Sequence, residues 1–438
     1  MKILLIGNSA RAHIIAETLK KSATDPDIFA FMSAKNPGII KIAADYEIGK
    51  LDDTDAIVNF AKSIEPDFAF ISPELPISAG AADRLIEIGI PSIGPIKELG
   101  MLECSKSYVR ELMQEYSIPG APKFRIFNSL DSIDEFLNSL SGTGYVLKPD
   151  GLTGGKGVKV SGEHISSKDE AIGYCREVIE AHGKIVIEEK LVGEEFSLQS
   201  FVDGKTVVDT PPVQDHKRAY NGDTGPNTGG MGSYSGTANL PFLSKKEIQD
   251  AHNITVAVNE AMFKKSGKYY KGIMYGGFIA TKDGIKLIEY NARFGDPEAM
   301  NVLSILKTDL VAICKAIIDS TLSETTIEFE KKATVCKYIV PEGYPDNPQS
   351  GDIVDISEVA GSQKLYFASV NEVDDKLVMG ASRALAFVGI GETIGEAEKI
   401  AEDACKQVKG PVRHRSDIGT EALILKRINH MKQIRGFS

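Results

Sequence analysis

Glu289 and Asn291 stand two positions apart in the apolar run Ile285-Lys286-Leu287-Ile288-Glu289-Tyr290-Asn291. In a β-strand, alternate side chains leave the same face, so a carboxylate and an amide oxygen would point together. Ile288 and Tyr290 are then expected to face a core. Two oxygen donors suit a hard cation such as Mg²⁺ or Mn²⁺, which takes few protein ligands and leaves the rest to phosphate and water. Arg293 follows closely and can set a fixed positive charge beside that metal. A lone Glu-x-Asn describes a solvated strand face equally well. Its setting separates the two cases: a Gly-rich strand from Tyr275, a turn over Lys282-Asp283-Gly284 that predicts a hairpin with a three-residue loop, and the run Arg293-Phe294-Gly295-Asp296-Pro297-Glu298.

Residues 144–160 carry a second pattern: two strands around a loop holding Gly151, Gly154, Gly155, Gly157 and Lys156, with Lys148 closing the first strand. Glycines let backbone N–H groups approach phosphate oxygens, and lysines supply the charge. The spacing is not that of a Walker A loop, and a strand follows where that motif needs a helix. A plain flexible hairpin is the alternative. Gln214-Asp215-His216-Lys217-Arg218 and the Gly/Asn/Thr-rich stretch 223–232 could fold over a small polar substrate. His216 has no partner at metal-ligand spacing and is expected to make hydrogen bonds instead.

These groups need a scaffold, and 438 residues suffice for two to four domains. Lys2–Gly7 and the helical pattern behind it predict β-turn-α, the opening of a doubly wound sheet. Only Gly7 fits a dinucleotide fingerprint, which argues against a dehydrogenase, while a helix N-terminus could still hold an anion. Further strands are expected at Phe29–Met32 and Phe68–Ser72, with a helix over Asp55–Ile64 between them. Ser72-Pro73-Glu74 then falls at the sheet edge where such folds bind ligands. A helix is expected to open over Leu102–Lys106 with Ser105 as N-cap. Strands follow at Lys184–Leu191 and Phe196–Val202, then helix from Glu298 to about Ser320. Short strands from Lys332 and a helix over Ile394–Val408 predict a small α+β unit.

The net charge of −11 argues against general nucleic-acid or anionic-membrane binding. Five scattered cysteines suggest reduced thiols and a cytoplasmic location. The opening apolar run is too short for a secretory leader, and no run is long enough to span a bilayer.

Arg293-Phe294-Gly295-Asp296-Pro297-Glu298 resembles the signature of the phosphoribosylamine–glycine ligase family, ATP-grasp enzymes of purine biosynthesis, and the resemblance runs over nearly the whole chain. It implies a multidomain α/β and α+β protein. A Rossmann-like domain would span 1–102, an ATP-grasp domain 103–328 with a lid subdomain at about 122–190, and an α+β domain 329–438. It also implies ATP-dependent ligation of glycine to 5-phosphoribosylamine through glycyl phosphate, with Mg²⁺ or Mn²⁺ at Glu289 and Asn291. Arg293, Lys217, Arg218 and Asp215 would serve catalysis. Lys106, Lys148, Gly154, Gly155, Lys156, Gly157, Glu188, Leu191 and Glu195 would hold ATP. Gly7, Arg11, His13, Pro73 and Glu74 would bind substrate, together with Asn227, Thr228, Gly229, Gly230, Asp296 and Pro297. The chain departs from the family's first two loops at Ser9, Ala10, Ala12 and Ser72, and from its signature at Met300. Only small-molecule partners are implied, with a monomer or weak oligomer. Two alternatives remain at this stage: an ATP-grasp ligase for another carboxylate–amine pair, and a non-catalytic nucleotide-binding scaffold.

Overall fold

The computed structural model describes residues 1–152 and 157–436. Its first sheet is parallel, with Lys2–Ile6 at the centre, Asp27–Met32 and Asp45–Ile48 on one side, and Phe68–Ile71 and Ser92–Ile93 on the other. Ile3 to Ile6 are all fully buried, as a strand covered by helices on both faces requires. Strand order reverses beside the first strand, which opens a crevice at the C-terminal edge. Ser9, where the family carries Gly, is the N-cap of the helix Ala10–Lys20: its side chain accepts from the Ala12 N–H. The Asp55–Ile64 expectation is met by a helix over Thr54–Ile64.

Two antiparallel four-stranded sheets follow. One orders Val207–Asp209, Glu194–Val202, Gly272–Thr281 and Gly284–Asn291. The other orders Phe124–Phe127, Ile185–Glu189, Tyr145–Pro149 and Lys159–Val160, and has its own small core with the helices Ile133–Asn138 and Lys168–His182. The hairpin that carries Glu289 turns over only residues 282–283, because Thr281 pairs with Gly284. The three-residue loop is therefore corrected to two, with Gly284 at φ +101° already in the second strand. A bulge also interrupts the ladder. Gly277 opposes Glu289 while Phe278 opposes Leu287, which leaves Ile288 without a partner. Tyr290 enters the core as expected, its hydroxyl 3.0 Å from that of Thr255. Ile288 instead borders a cleft.

The C-terminal sheet takes strands from both sides of residue 328. Gln214–Asp215 and Gly232–Ser235 pair into it beside Ala333–Pro341, Leu385–Gly391 and Lys364–Phe367. The polar 214–232 stretch is thus fixed at both ends by strands, and the helix Ile394–Gln407 covers the sheet. Two expectations change here. Leu102–Cys104 ends one helix (Lys97–Cys104), and a second (Lys106–Glu115) starts after Ser105, which caps it by accepting from the Tyr108 N–H. The continuous helix from Glu298 is two, Glu298–Leu303 and Leu310–Asp319, because Asp309 caps the second. A final helix, Glu421–Arg435, was not anticipated; of its fifteen residues only Leu423 and Met431 are buried.

Candidate active site

A cleft of about 1240 Å³ lies between the two antiparallel sheets and reaches the first loop and the C-terminal sheet. Glu289 and Asn291 both border it. Burial alone would raise the Glu289 pKa, but Lys217, Lys148, Lys106 and Arg293 outweigh it and hold the carboxylate ionised. The Asn291 Oδ1 accepts from Arg293 Nη2 at 3.3 Å. Arg293 is committed further: Nη2 lies 2.8 Å from Glu103 and Nε 3.2 Å from Glu74. One guanidinium therefore ties the Gly284–Asn291 strand to the helix at 97–104 and to the Ser72-Pro73-Glu74 edge. Burial opposes its charge, and Glu103 and Glu74 more than restore it.

The wall formed by the second sheet carries Lys148, whose Nζ sits 2.7 Å from Glu188. Glu188 is 3% exposed and also pairs with Arg110 Nε at 2.6 Å. Its carboxylate therefore positions Lys148 rather than facing the cleft unpaired. Arg110 was not anticipated, and nothing in its spacing marks it. Its Nη2 donates to the carbonyls of Leu287 and Ile288 at 3.0 and 2.9 Å, which fastens the bulge beside Glu289. Burial would raise the Glu188 pKa, yet Arg110 and Lys148 bring it down to about 2. A depressed pKa means the triad stabilises the fold above the ordinary carboxylate range and loses that contribution as pH falls toward 2. Acid denaturation followed by circular dichroism should then show a stability gap between wild type and Glu188→Gln at pH 7 that closes between about pH 4 and pH 2.

Lys106 Nζ donates to the Gly151 carbonyl at 2.9 Å, and Asp150 is held by Ser107 Oγ at 2.6 Å and Lys184 at 3.4 Å. The start of the glycine loop is thus anchored. Gly154, Gly155 and Lys156 lie outside the described residues. Gly157 accepts through its carbonyl from the Tyr174 hydroxyl at 2.6 Å. Leu191 and Glu195 border the cleft, and Glu195 pairs with Lys217 at 3.4 Å. Arg218 stands at the rim, paired with Glu163 and donating to the Gly225 carbonyl at 2.8 Å.

The remaining wall brings together Arg11, Glu74, Asn227, Thr228, Gly229 and Asp296. Arg11 is 5% exposed and donates to the Phe294 carbonyl at 2.7 Å and Ser72 Oγ at 3.3 Å. Gly7, His13, Pro73, Gly230 and Pro297 do not border the cleft. His13 is the clearest correction. Its Nδ1 accepts the Phe367 N–H at 3.0 Å, and its ring packs on Phe367 and against Tyr366, which joins the first helix to the C-terminal sheet. Burial lowers its pKa to about 4. A Cβ on Gly7 would lie 3.0 Å from Pro73, so that pair packs behind the wall. His216 is also corrected: it is 2% exposed, and neither ring nitrogen has a hydrogen-bond partner among the described residues. Burial lowers its pKa to about 3, so the ring is neutral.

Arg383 is a second residue the sequence did not reveal, because it sits in a turn far from every motif. Its Nη1 donates to the carbonyls of Gly229, Gly230 and Asp296 at 2.7, 3.0 and 2.9 Å, and its guanidinium stacks 4.4 Å over Tyr338. It binds the polar loop to the signature run. Asp215 also faces this wall. Burial, then the charge of Glu298, raises its pKa well above the usual carboxylate range.

Models of the phosphoribosylglycinamide synthetase family match residues 1–103 (N domain), 104–299 (ATP-grasp domain) and 334–421 (C domain). The chain is 47% identical over 437 residues to the phosphoribosylamine–glycine ligase of Methanosarcina barkeri, covering all of both chains. The crystal structure of a phosphoribosylamine–glycine ligase from Thermotoga maritima superimposes with a TM-score of 0.79 at 27% identity, over 95% of this chain and all of that one. The biotin carboxylase domain of a 2-oxoglutarate carboxylase from Hydrogenobacter thermophilus, in complex with MgADP, shares the fold at 17% identity. Its TM-score is 0.72 over all of this chain and 95% of that one. With three domain models matched in order and a full-length relative at this identity, the chain belongs to the phosphoribosylglycinamide synthetase family.

Proposed function

We propose that the protein ligates glycine to 5-phosphoribosylamine at the expense of ATP, giving glycinamide ribonucleotide, ADP and phosphate. The observation that carries this reading is the convergence of Glu289, Asn291, Lys148, Lys106 and Lys217 on one cleft in a chain of this family. A glycine carboxylate oxygen attacks the γ-phosphorus and ADP leaves. The amine nitrogen of phosphoribosylamine then attacks the carbonyl carbon of glycyl phosphate, phosphate departs with the labile oxygen, and the nitrogen loses a proton. No protein nucleophile is needed; positioning and electrostatics are the protein's contribution.

Lys148 and Lys106 hold the phosphates, with Gly157 and the anchored loop start close by. Leu191 lies against the base and Glu195 against the ribose. Glu188 acts through Lys148. Among the described residues no three His, Cys, Asp or Glu side chains form a ready cation cage. An ionised Glu289 next to the Asn291 oxygen still fits a divalent ion that completes its shell with phosphate. Glu289 and Asn291 would hold Mg²⁺ or Mn²⁺, which supplies charge neutralisation at the phosphoryl oxygens. Arg11, Glu74, Asn227, Thr228, Gly229 and Asp296 surround the phosphoribosyl group. Gly7, His13, Pro73, Gly230 and Pro297 support that wall from behind. Lys217, Arg218 and Arg293 balance the negative charge.

Incubating the protein with glycine, ATP and enzymatically generated phosphoribosylamine should yield glycinamide ribonucleotide and ADP in equal amounts by mass spectrometry. ATP turnover with another carboxylate–amine pair and none with this one would move the assignment within the fold. Tight nucleotide binding without turnover on any pair would leave a scaffold.

A further inference from the structure

Only the first residue of the helix Glu421–Arg435 falls within the C-domain match, and no step of the proposed reaction uses this helix. Leu423 and Met431 anchor its inner side. Lys426 and His430, four positions apart and so on one face, border the cleft. Between them Arg427 reaches two walls of that cleft. Its Nη2 pairs with Asp223 at 2.6 Å, and its Nε lies 3.4 Å from Glu194. His430 Nδ1 lies 2.6 Å from the other oxygen of Glu194. Arg427 and Arg415 also stand close enough to His216 to disfavour its protonation, yet neither ring nitrogen has a partner among the described residues. The helix therefore meets this part of the wall through Asp223 and Glu194.

Asp223 sits in the turn between the paired strands Arg218–Tyr220 and Thr224–Asn227. Three cations converge on it: Arg427, Arg415 at 3.0 Å and Lys426 at 3.4 Å. Beside it the Gly222 N–H donates to Asp417 at 2.9 Å, and Asn221 Nδ2 donates to Ser416 Oγ at 2.9 Å. Its φ of +62° is a left-handed conformation that Asp and Asn adopt more readily than most side chains. Asn221, Gly222, Thr224 and Gly225 around it are all exposed, so no core of its own holds this turn. The C-terminal segment holds it instead, and the turn leads directly into Asn227 and Thr228. Glu194, the other contact, immediately precedes Glu195 in its strand.

We propose, resting on the ligase reading, that the helix Glu421–Arg435 is a positioning clamp with two separate grips. Through Asp223 it sets the loop that carries Asn227 and Thr228 against the phosphoribosyl group, and through Glu194 it sets Glu195 against the ribose of ATP. Neither grip touches a reacting atom. Each removes in advance a freedom that binding would otherwise have to freeze, so its loss falls on the affinity for one substrate. A helix that served stability alone would not divide its effects between two ligands.

The test uses the full chain with three substitutions, each checked by thermal melting. Asp223→Asn keeps the left-handed turn and removes its charge, His430→Ala releases Glu194, and Arg427→Gln loosens both grips. KM is measured for phosphoribosylamine and glycine, and ATP affinity by titration calorimetry without turnover. Asp223→Asn should raise the phosphoribosylamine KM about tenfold, the lower end for a hydrogen bond between charged groups, and leave ATP affinity within about twofold. His430→Ala should weaken ATP by about as much and leave the phosphoribosylamine KM within about twofold. Arg427→Gln should do both, and the glycine KM should hold in all three. Asp223→Asn or His430→Ala shifting both ligands equally overturns the clamp, as do unchanged affinities whatever the melting temperature. A fall in kcat alone would place the helix at the chemistry and also overturns it. If Arg427→Gln fails to fold, the other two variants carry the split. Wild type that turns over no phosphoribosylamine refutes the ligase reading, and the grip on Glu194 is then still decided by ATP binding to His430→Ala.

Discussion

Glu289→Gln should lower turnover by about a thousand-fold or more, since neutralising the charge on a transferring phosphoryl group contributes several kcal/mol. Asn291→Ala should fall in the same direction. The basis is electrostatic. Glu289 lies among Lys217, Lys148, Lys106 and Arg293, which keep it ionised although it is half-buried. Glutamine keeps the shape and removes the charge, so the four cations face one another with less compensation, and a divalent ion loses its anionic ligand. The variant should melt as a folded protein, because among the described residues the Glu289 side chain makes no hydrogen bond on which the strand depends, and the ladder at Gly277 is formed by backbone. Steady-state rates across a Mg²⁺ titration check this. A variant at near wild-type rate under saturating Mg²⁺ removes Glu289 from the site.

Arg293→Ala should cost both activity and stability. It takes the guanidinium from between Glu103, 5% exposed at its side chain, and Glu74, which leaves a buried carboxylate without its cation. Breaking such a pair from one side costs about 3–5 kcal/mol. Burial already raises the Glu103 pKa, so in the variant it takes up a proton and stability depends more steeply on pH. Arg293→Lys restores the charge without the fork that reaches Glu103, Glu74 and Asn291 together, and should recover stability only in part. Adding Glu103→Gln to Arg293→Ala should regain much of the stability and none of the rate. Urea titration beside turnover separates the two effects. Stability and rate recovering together would make Arg293 a structural residue alone.

The parts of this site visible in the sequence are those whose geometry is local. Alternation along one strand was enough to put Glu289 and Asn291 on one face, and the apolar opening run was enough for a buried parallel strand. The bulge at Ile288 was not visible, because an unpaired residue depends on the partner strand and on Arg110, more than 170 residues away, which captures its carbonyl. Arg383 and Arg110 were missed for the same reason: a buried arginine is defined by the carbonyls and carboxylates around it, and those come together only in the fold. His13 shows the opposite error. The resemblance suggested a ligand contact, but the ring fills the space above Gly38, where a Cβ would collide with it, and it joins the first helix to the C-terminal sheet. Ser9 explains how the altered first loop keeps its form, since its hydroxyl caps the helix that follows.

Activation of a carboxylate as an acyl phosphate moves one of its oxygens to phosphate, and isotopic labelling follows that oxygen. Glycine labelled with ¹⁸O in its carboxylate, turned over with ATP and phosphoribosylamine, should deliver one labelled oxygen to each inorganic phosphate released, with ADP as the nucleotide product. The label must travel because the oxygen that attacks the γ-phosphorus is the one that leaves with phosphate. Unlabelled phosphate accompanying full product yield would rule out glycyl phosphate.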